Sequence, residues 1–388
     1  NNSTAMYATR GKITNNGTIA LNGNSGIGMM TEAEGTANNT GTINVSGADS
    51  VGILADGGTA TNSSGTINVT GSSSFGMKAT EGEAINNATI NANNNIGMFA
   101  DGGIVTNGSS GKINAGSGAS YLMLAENGGT ANNKGTLTFS GSGSALQAKG
   151  ATVNNTGSIT ATGSGNGMAA DGTSSAGANA VNSGTITVNS GKGMIATSTT
   201  IDTTVTNASG GVITVNSNGG VGMYADGSHA RAINLGTINI KGTSSTSYGM
   251  KAVNGGSVEM PWINKVNSLI QTSYCGMHGG LALARILFGE VNPSGHLAET
   301  YPIHLCDTPT EKFKSYPGTV DNSGQRHVEY TEKLMVGYRY YETEEIPVLF
   351  PFGYGLSYTT FDLHDFSVEK TDDETVCCRC RITNTGNR

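Results

Sequence analysis

Asn38-Asn39-Thr40-Gly41-Thr42-Ile43-Asn44-Val45 and, one repeat on, Asn62-Ser63-Ser64-Gly65-Thr66-Ile67-Asn68-Val69 are the strings whose reading decides the fold. After each glycine, β-branched or apolar residues alternate with small polar ones, the period-2 pattern of a short strand with one face turned inward. Gly-Thr-Ile or a close variant recurs with its third residue at Ile19, Ile43, Ile67, Ile90, Ile113, Leu137, Ile159, Ile186, Ile213 and Ile238, ten copies spaced by about 24 residues. A second apolar series keeps step with it through Met29, Ile53, Met77, Met98, Met123, Leu146, Met168, Met194, Met223 and Met250, usually just after a glycine. Asparagines at Asn38, Asn62, Asn86, Asn132, Asn154 and Asn234 mark turns two to four residues before the next strand string.

Helical spacing is absent from this region. Short strands separated by Gly and Asn turns predict one solenoid coil per repeat, with two or three strands per turn. Coils stacked at about 4.8 Å would set Ile over Ile and Met over Met in a narrow apolar column roughly 50 Å long, with turn asparagines forming amide ladders. The expected fold is mainly β: a right-handed parallel β-helix of about ten coils over residues 1–256. Because the methionine series shares its slot with Ile53 and Leu146, it reads as core filling rather than metal or redox chemistry. Asp-Gly at Asp56, Asp101, Asp171 and Asp226 reads as turn chemistry, since the Gly-Gly-x-Gly-x-Asp repeat of calcium-binding β-rolls is missing. Triplets such as Asn16-Gly17-Thr18 follow from the repeat and carry no glycosylation signal of their own.

The Asn-x-Gly-Thr-Ile, Gly-Met and Ala-Asp-Gly pattern resembles the passenger repeats of bacterial autotransporter adhesins. That resemblance implies display at the bacterial surface or outside the cell, and a glycan or host-surface ligand. The family's membrane barrel, ten or more alternating segments with aromatic girdles, is not among these residues. Neither is an apolar run of about 18 residues, and residues 1–20 lack the apolar core of a secretory signal.

Beyond residue 256 the composition changes abruptly. All 7 prolines, all 5 cysteines and the single tryptophan, Trp262, fall there, whereas 48 of the 59 glycines precede it. The first 256 residues carry 10 Lys+Arg against 11 Asp+Glu, and the remainder 11 against 17, so neither part offers a basic surface for nucleic acid. Residues 266–270 and 281–288 read as an apolar helix start and a buried helix, 334–341 as a Val- and Tyr-rich strand, 292–295 as a turn, and 361–368 with 375–382 as a pair of strands. Cys275 and Cys306 are isolated, and the crowding of Cys377, Cys378 and Cys380 suits free thiols on a strand better than a strained disulfide or a metal site without histidine.

Four segments of this part closely resemble the C-terminal region of glycoside hydrolase family 3, the β-glucosidase and β-xylosidase family: Met260-Pro261-Trp262-Ile263, Gly289-Glu290-Val291-Asn292-Pro293-Ser294-Gly295-His296-Leu297, Val336-Gly337-Tyr338-Arg339-Tyr340-Tyr341, and Phe350-Pro351-Phe352-Gly353-Tyr354-Gly355-Leu356-Ser357-Tyr358-Thr359. Cys275, His278 and Ala298 depart from the residues usual there. The resemblance implies part of an α/β sandwich domain over 257–360, whose apolar faces would stay exposed, followed at 361–388 by the opening strands of a fibronectin type III-like domain. It also implies an N-terminal hydrolase barrel as the partner of 257–388 in a parent enzyme. Retaining members use two carboxylates about 5 Å apart across the sugar. The Ser-Asp-Trp and Glu-Gly-x-Asp-Arg types of motif that carry them in the family are missing here: Pro261 precedes Trp262, and Glu34-Gly35 and Glu81-Gly82 lack a following Asp-Arg.

No other residues take over that role. Glu342, Glu344 and Glu345 read as a solvated charge run; His278, His296, His304, His327 and His364 lack metal-ligand spacing; and Arg339 with its tyrosines suits packing as well as sugar contact. Neither a Gly-x-Ser-x-Gly elbow nor a phosphate-binding Gly-Lys-Ser/Thr loop occurs. No catalytic, cofactor-binding or metal-binding residue is therefore assigned, and no cofactor is expected. Residues 251–258 suit both the repeat and the hydrolase motif, which sets the join at 255–259. The expected function is that of a hybrid, an adhesin-type β-helix carrying a hydrolase C-terminal part that is inactive alone. A surface-targeted glycoside hydrolase subunit and a purely structural solenoid are the alternatives.

Overall fold

The computed structural model describes residues 3–387 apart from 94, 117, 243–245, 262, 273–275, 277, 314, 316–317, 321–324 and 373–374. Trp262 and Cys275 thus lie outside the described residues. The chain divides into two compact units, Asn1–Lys265 and Val266–Arg388.

The first unit is a parallel β-solenoid. Its strands form three sheets of 11, 11 and 10 members, each joined only to its counterparts one repeat before and after. One coil comprises Val51–Asp56, Thr59–Asn62 and Thr66–Val69, so each turn of the solenoid has three strands. The register is the one the repeat dictates: Ile43 pairs with Ile19 and Ile67, and Met77 with Ile53 and Met98. Ile43, Ile67, Met77, Met98 and Leu146 have no solvent exposure, and the methionine stripe is core. The glycine that precedes this Met or Ile slot has a steric reason. A Cβ on Gly52 would lie 2.5 Å from the carbonyl oxygen of Gly76 and 3.1 Å from Ile67 Cγ2, so a side chain there would force adjacent coils apart.

An asparagine ladder closes the interior. Asn15, Asn39, Asn62, Asn86, Asn107, Asn133, Asn155, Asn182, Asn207 and Asn234 stack in register, each Nδ2 donating to Oδ1 of the next at 2.7–2.8 Å. The second amide hydrogen commonly goes to a turn carbonyl, as from Asn39 to Gly41 O at 3.2 Å and from Asn133 to Gly135 O at 3.3 Å. The ladder exists as expected, but at Asn38, Asn132 and Asn154 the expectation is one residue out of step. Side chains alternate sides along a strand, so these three neighbours of the ladder turn outward. There Asn154 Nδ2 donates to Asn132 Oδ1 at 2.9 Å, and Asn38 accepts from Ser63 Oγ.

The solenoid continues past residue 256. Ser257–Glu259 pairs with Arg231–Ile233, and Arg231 forms an ion pair with Glu259. An eleventh coil is thus begun by Tyr248–Val253 and Ser257–Glu259, and the residue after that second strand is Met260 where the preceding coil has Asn234 after Ile233.

The second unit contains helix Gly279–Leu287 where the sequence predicts one, although, contrary to expectation, none of its residues is buried, and the short helices Pro309–Phe313 and Tyr338–Thr343. Its described strands form three two-stranded antiparallel sheets, the longest being the hairpin Phe361–Lys370 with Val376–Asn384. Two further expectations are corrected. Residues 266–270 are not helical, and the strand expected at 334–341 is instead a loop leading into helix Tyr338–Thr343. Tyr and Val runs favour strands only where a pleated surface receives them. Here Gly337, at φ 55°, reverses the chain, and a helical turn buries Tyr340 against Phe313 with ring centroids 6.2 Å apart.

Candidate functional sites

In the second unit, two of the hydrolase-like segments meet. Asn292 Nδ2 donates to Ser357 Oγ at 2.7 Å, and Asn292 Oδ1 accepts from the Tyr358 backbone N–H at 2.8 Å. Leu297 N–H donates to Tyr354 O and Gly353 N–H to Leu297 O, both at 2.8 Å, while His296 Nδ1 lies 2.7 Å from Gly353 O. Tyr358 Oη reaches back to Ile286 O at 2.7 Å, tying the loop to helix Gly279–Leu287. The motif residues are therefore engaged with one another as a clip between residues 289–297 and 350–359.

Helix Tyr338–Thr343 is also a packing element. Tyr340 and Tyr341 are buried, and desolvation pushes the Tyr341 hydroxyl up to about 12. Arg339 lies over the Tyr338 ring, 5.9 Å from its centroid. Glu344 pairs with Lys312, whereas Glu342 and Glu345 border an open cleft of about 230 Å3 with Tyr338 and Tyr341. His304 donates its backbone N–H to Asp307, and His364 pairs with Asp362 at 3.2 Å. Among the described residues no three His, Cys, Asp or Glu side chains gather closely enough to hold a metal ion. Cys377, Cys378 and Cys380 are free thiols on one strand, as expected, and Cys306 Sγ lies 3.8 Å from Asp307 Oδ1.

The solenoid's first sheet bears aromatic residues on its outer side, most of them covered. Lys78 lies over Phe99 at 5.1 Å, Lys149 over Tyr121 at 4.9 Å, Lys192 over Tyr224 at 5.1 Å and Lys251 over Tyr248 at 4.7 Å. The first three pairs join strands of neighbouring coils, whereas Lys251 and Tyr248 share one strand. Beside them, the Asp-Gly positions end the strands of the first sheet, and Gly57 and Gly102 take φ of 75° and 80° as the turn requires. Asp101 receives hydrogen bonds from Asn127 and Lys78, which hold its carboxyl below the usual range against a smaller opposing effect of burial. Asp171 goes the other way, because burial outweighs the hydrogen bonds from Thr197 and Gln147 and raises its pKa. These carboxylates serve turns and lateral bonds.

Two successive turns of the solenoid depart from the repeat. The connection between first- and second-sheet strands takes residues 57–58 or 150–151 in ordinary coils, but lengthens to 172–178 and then 198–202. The longer turns wall a groove of about 540 Å3 over the neighbouring short ones. Asp202 projects there, 77 % exposed, with His229 Nδ1 at 3.0 Å. The signal was a stretch in the methionine spacing from Met168 to Met194 to Met223, together with His229, the one histidine of the repeat region.

With this geometry in hand, comparison with known proteins separates the same two parts. Residues 1–98, 96–208 and 190–260 match the family described as the BigA third pectate lyase-like domain, together two thirds of the chain. The chain belongs to that family. Residues 250–358 match the glycosyl hydrolase family 3 C-terminal domain, so the two matches overlap across the eleventh coil. Over this region the chain is 53 % identical to thermostable beta-glucosidase B of Acetivibrio thermocellus across 120 residues, covering 31 % of this chain and 15 % of that protein. It is 39 % identical to an exo-alpha-(1->6)-L-arabinopyranosidase of Bifidobacterium breve across 127 residues, covering 33 % and 16 %. Among solved structures, beta-glucosidase 3B of Thermotoga neapolitana with glucose matches at 30 % identity and a TM-score of 0.31, covering 41 % of this chain and 26 % of that one. The chain spans 13–16 % of the length of these curated relatives.

Proposed function

We propose that this chain is an adhesive β-solenoid displayed outside the cell, carrying a hydrolase-type C-terminal part that performs no catalysis by itself. The observation that carries this reading is the engagement of the hydrolase-like motif: Asn292, His296, Ser357 and Tyr358 bond within the clip, and neither carboxylate-bearing motif of the hydrolase family occurs among these residues. Retaining glycoside hydrolysis needs a nucleophile and an acid/base facing one sugar. The solenoid offers rigid, repetitive outer faces whose interior is fully packed, which suits binding better than turnover.

Two measurements on the whole chain test this. Hydrolysis of an aryl β-glucoside should stay at the buffer rate, and a turnover abolished by substituting a carboxylate of this chain would overturn the non-catalytic part. Immobilised glycans or host surface material should retain the chain, and absence of retention would overturn the adhesive part. A second reading, in which the solenoid is the targeting arm of a surface glycoside hydrolase, draws on the pairing of strands Tyr248–Val253 and Ser257–Glu259 with the preceding coil, where the two family matches overlap. On that reading a separately supplied family 3 barrel domain would gain activity when mixed with this chain.

A further inference from the structure

The groove beside the lengthened turns is walled by a fixed structure. Ser198 and Thr203 are buried; Ser198 Oγ donates to Ile201 O at 2.6 Å and Thr203 Oγ1 to the same carbonyl at 3.2 Å. From the following coil, the His229 backbone N–H donates to Ser198 O at 3.1 Å while its Nδ1 holds Asp202. The preceding long turn is closed on itself through Thr173, whose Oγ1 donates to Ala176 O at 3.1 Å and accepts from the Ala176 N–H at 2.9 Å. Turns set in this way lose little conformational freedom when a ligand arrives, so binding energy is not consumed in ordering them.

The lining is of one chemical kind. Thr152, Asn179 and Thr204 present hydroxyls and an amide from three successive coils, and Asp202 presents a carboxylate. Gly128 leaves its backbone open, since a Cβ there would meet nothing within 4 Å. Ile201 is the sizeable apolar side chain among the described lining residues, and no Lys or Arg is among them.

We infer that this groove binds a neutral polyhydroxylated ligand, a short stretch of an uncharged glycan. Hydroxyl and amide groups donate and accept in the pattern sugar hydroxyls need, and a carboxylate accepts from two of them with charge-assisted strength. The same carboxylate, with no Lys or Arg in the lining, disfavours uronates, sulfated sugars and phosphates. An apolar floor for a lipid is lacking. The volume lies in the range of small-molecule sites, about 300–1,000 Å3. This inference rests on the adhesive reading and names the ligand class of one of its faces.

The test uses the full chain on an array of neutral hexose oligosaccharides and galacturonate oligomers, with three variants at exposed positions. Asn179→Arg fills the groove and Asp202→Ala removes its carboxylate, while Thr185→Arg alters the outer face of the third sheet. Retention on neutral glycans should fall about tenfold or more with Asn179→Arg and about threefold or more with Asp202→Ala, and stay unchanged with Thr185→Arg. Thermal unfolding of each variant checks that the solenoid is intact. Unchanged retention by both groove variants would overturn the groove while leaving the adhesive reading standing. Preference of the unaltered chain for galacturonate would overturn the neutral ligand class, and failure to bind any glycan would overturn the inference whatever other surface the chain adheres to.

Discussion

In the solenoid, Ile67, Val69 and Met77 have no solvent exposure, whereas in the C-terminal unit Leu281, Phe288, Leu334 and Phe366 are 61 %, 84 %, 73 % and 70 % exposed. Helix Gly279–Leu287 buries none of its residues, and Tyr340 and Tyr341 are the buried apolar side chains among the described residues of that unit. Both parts are composed of good strand and helix sequences, so local propensity does not separate them. The difference lies in what each residue is given to pack against. A repeat coil covers its neighbour's interior with a copy of itself, so a few residues per coil suffice for a dry core. An ordinary α/β sequence draws its core from distant elements, and apolar side chains without such partners remain in water.

Limited proteolysis should exaggerate this contrast most. Cleavage should begin within 266–388 and leave a resistant fragment within Asn1–Lys265, with initial rates differing by more than about tenfold, because proteolysis follows the population of locally opened chain. Equal resistance of both units, read by mass spectrometry of the fragments, would break the comparison.

Inside the solenoid, Asn107→Leu should have the next largest effect. It removes the acceptor of Asn86 Nδ2 and the donor to Asn133 Oδ1, leaving both in a dry interior at a cost of about 2–4 kcal/mol. Chemical denaturation should register the loss, and hydrogen exchange should confine it to the flanking coils, since contacts run only between neighbours. A loss below about 0.5 kcal/mol would mean that the ladder does little more than fill space.

Asn292→Ala should cost less, about 1–2 kcal/mol, and only in the second unit. Faster cleavage at 350–359 with an unaltered solenoid fragment is the expected result. Solenoid protection that changed together with the clip would mean that the two units unfold as one.

The smallest effect should come from Asp171→Asn. Burial raises the native carboxyl pKa above its unfolded value, so the charged form destabilises the fold at neutral pH, and this penalty disappears as pH falls through the raised native pKa. The amide retains an acceptor for Gln147 Nε2, which donates to Asp171 at 2.9 Å. The variant should therefore be slightly more stable than the unaltered chain at pH 7 and equal to it in acid. The reverse order, by thermal unfolding at both pH values, would mean that the hydrogen bonds outweigh desolvation.

Much of the solenoid could be read directly. Ile43 over Ile67 and Met77 over Met98 follow from spacing alone, because a repeat that stacks on itself turns sequence period into spatial neighbourhood. The ladder was legible in kind but displaced at Asn38, Asn132 and Asn154, where two adjacent asparagines compete and only strand alternation decides which points inward. The groove escaped notice because Asp202 and His229 belong to no motif, and lengthened turns declare themselves only when shorter ones lie beside them. The helix at Tyr338–Thr343 escaped for the opposite reason, since its residues favour a strand and only packing against Phe313 settles the matter.

The sequence by itself determined the stacking, the register, the methionine and isoleucine columns and the position at which one grammar gives way to another. These are properties of residues that meet their own copies at a fixed interval. Tertiary structure alone decided that the solenoid claims Ser257–Glu259, that the hydrolase-like segments bind each other through Asn292, and that coils of unequal length leave a groove. Each depends on groups far apart in the chain arriving at hydrogen-bonding distance, which no local pattern encodes.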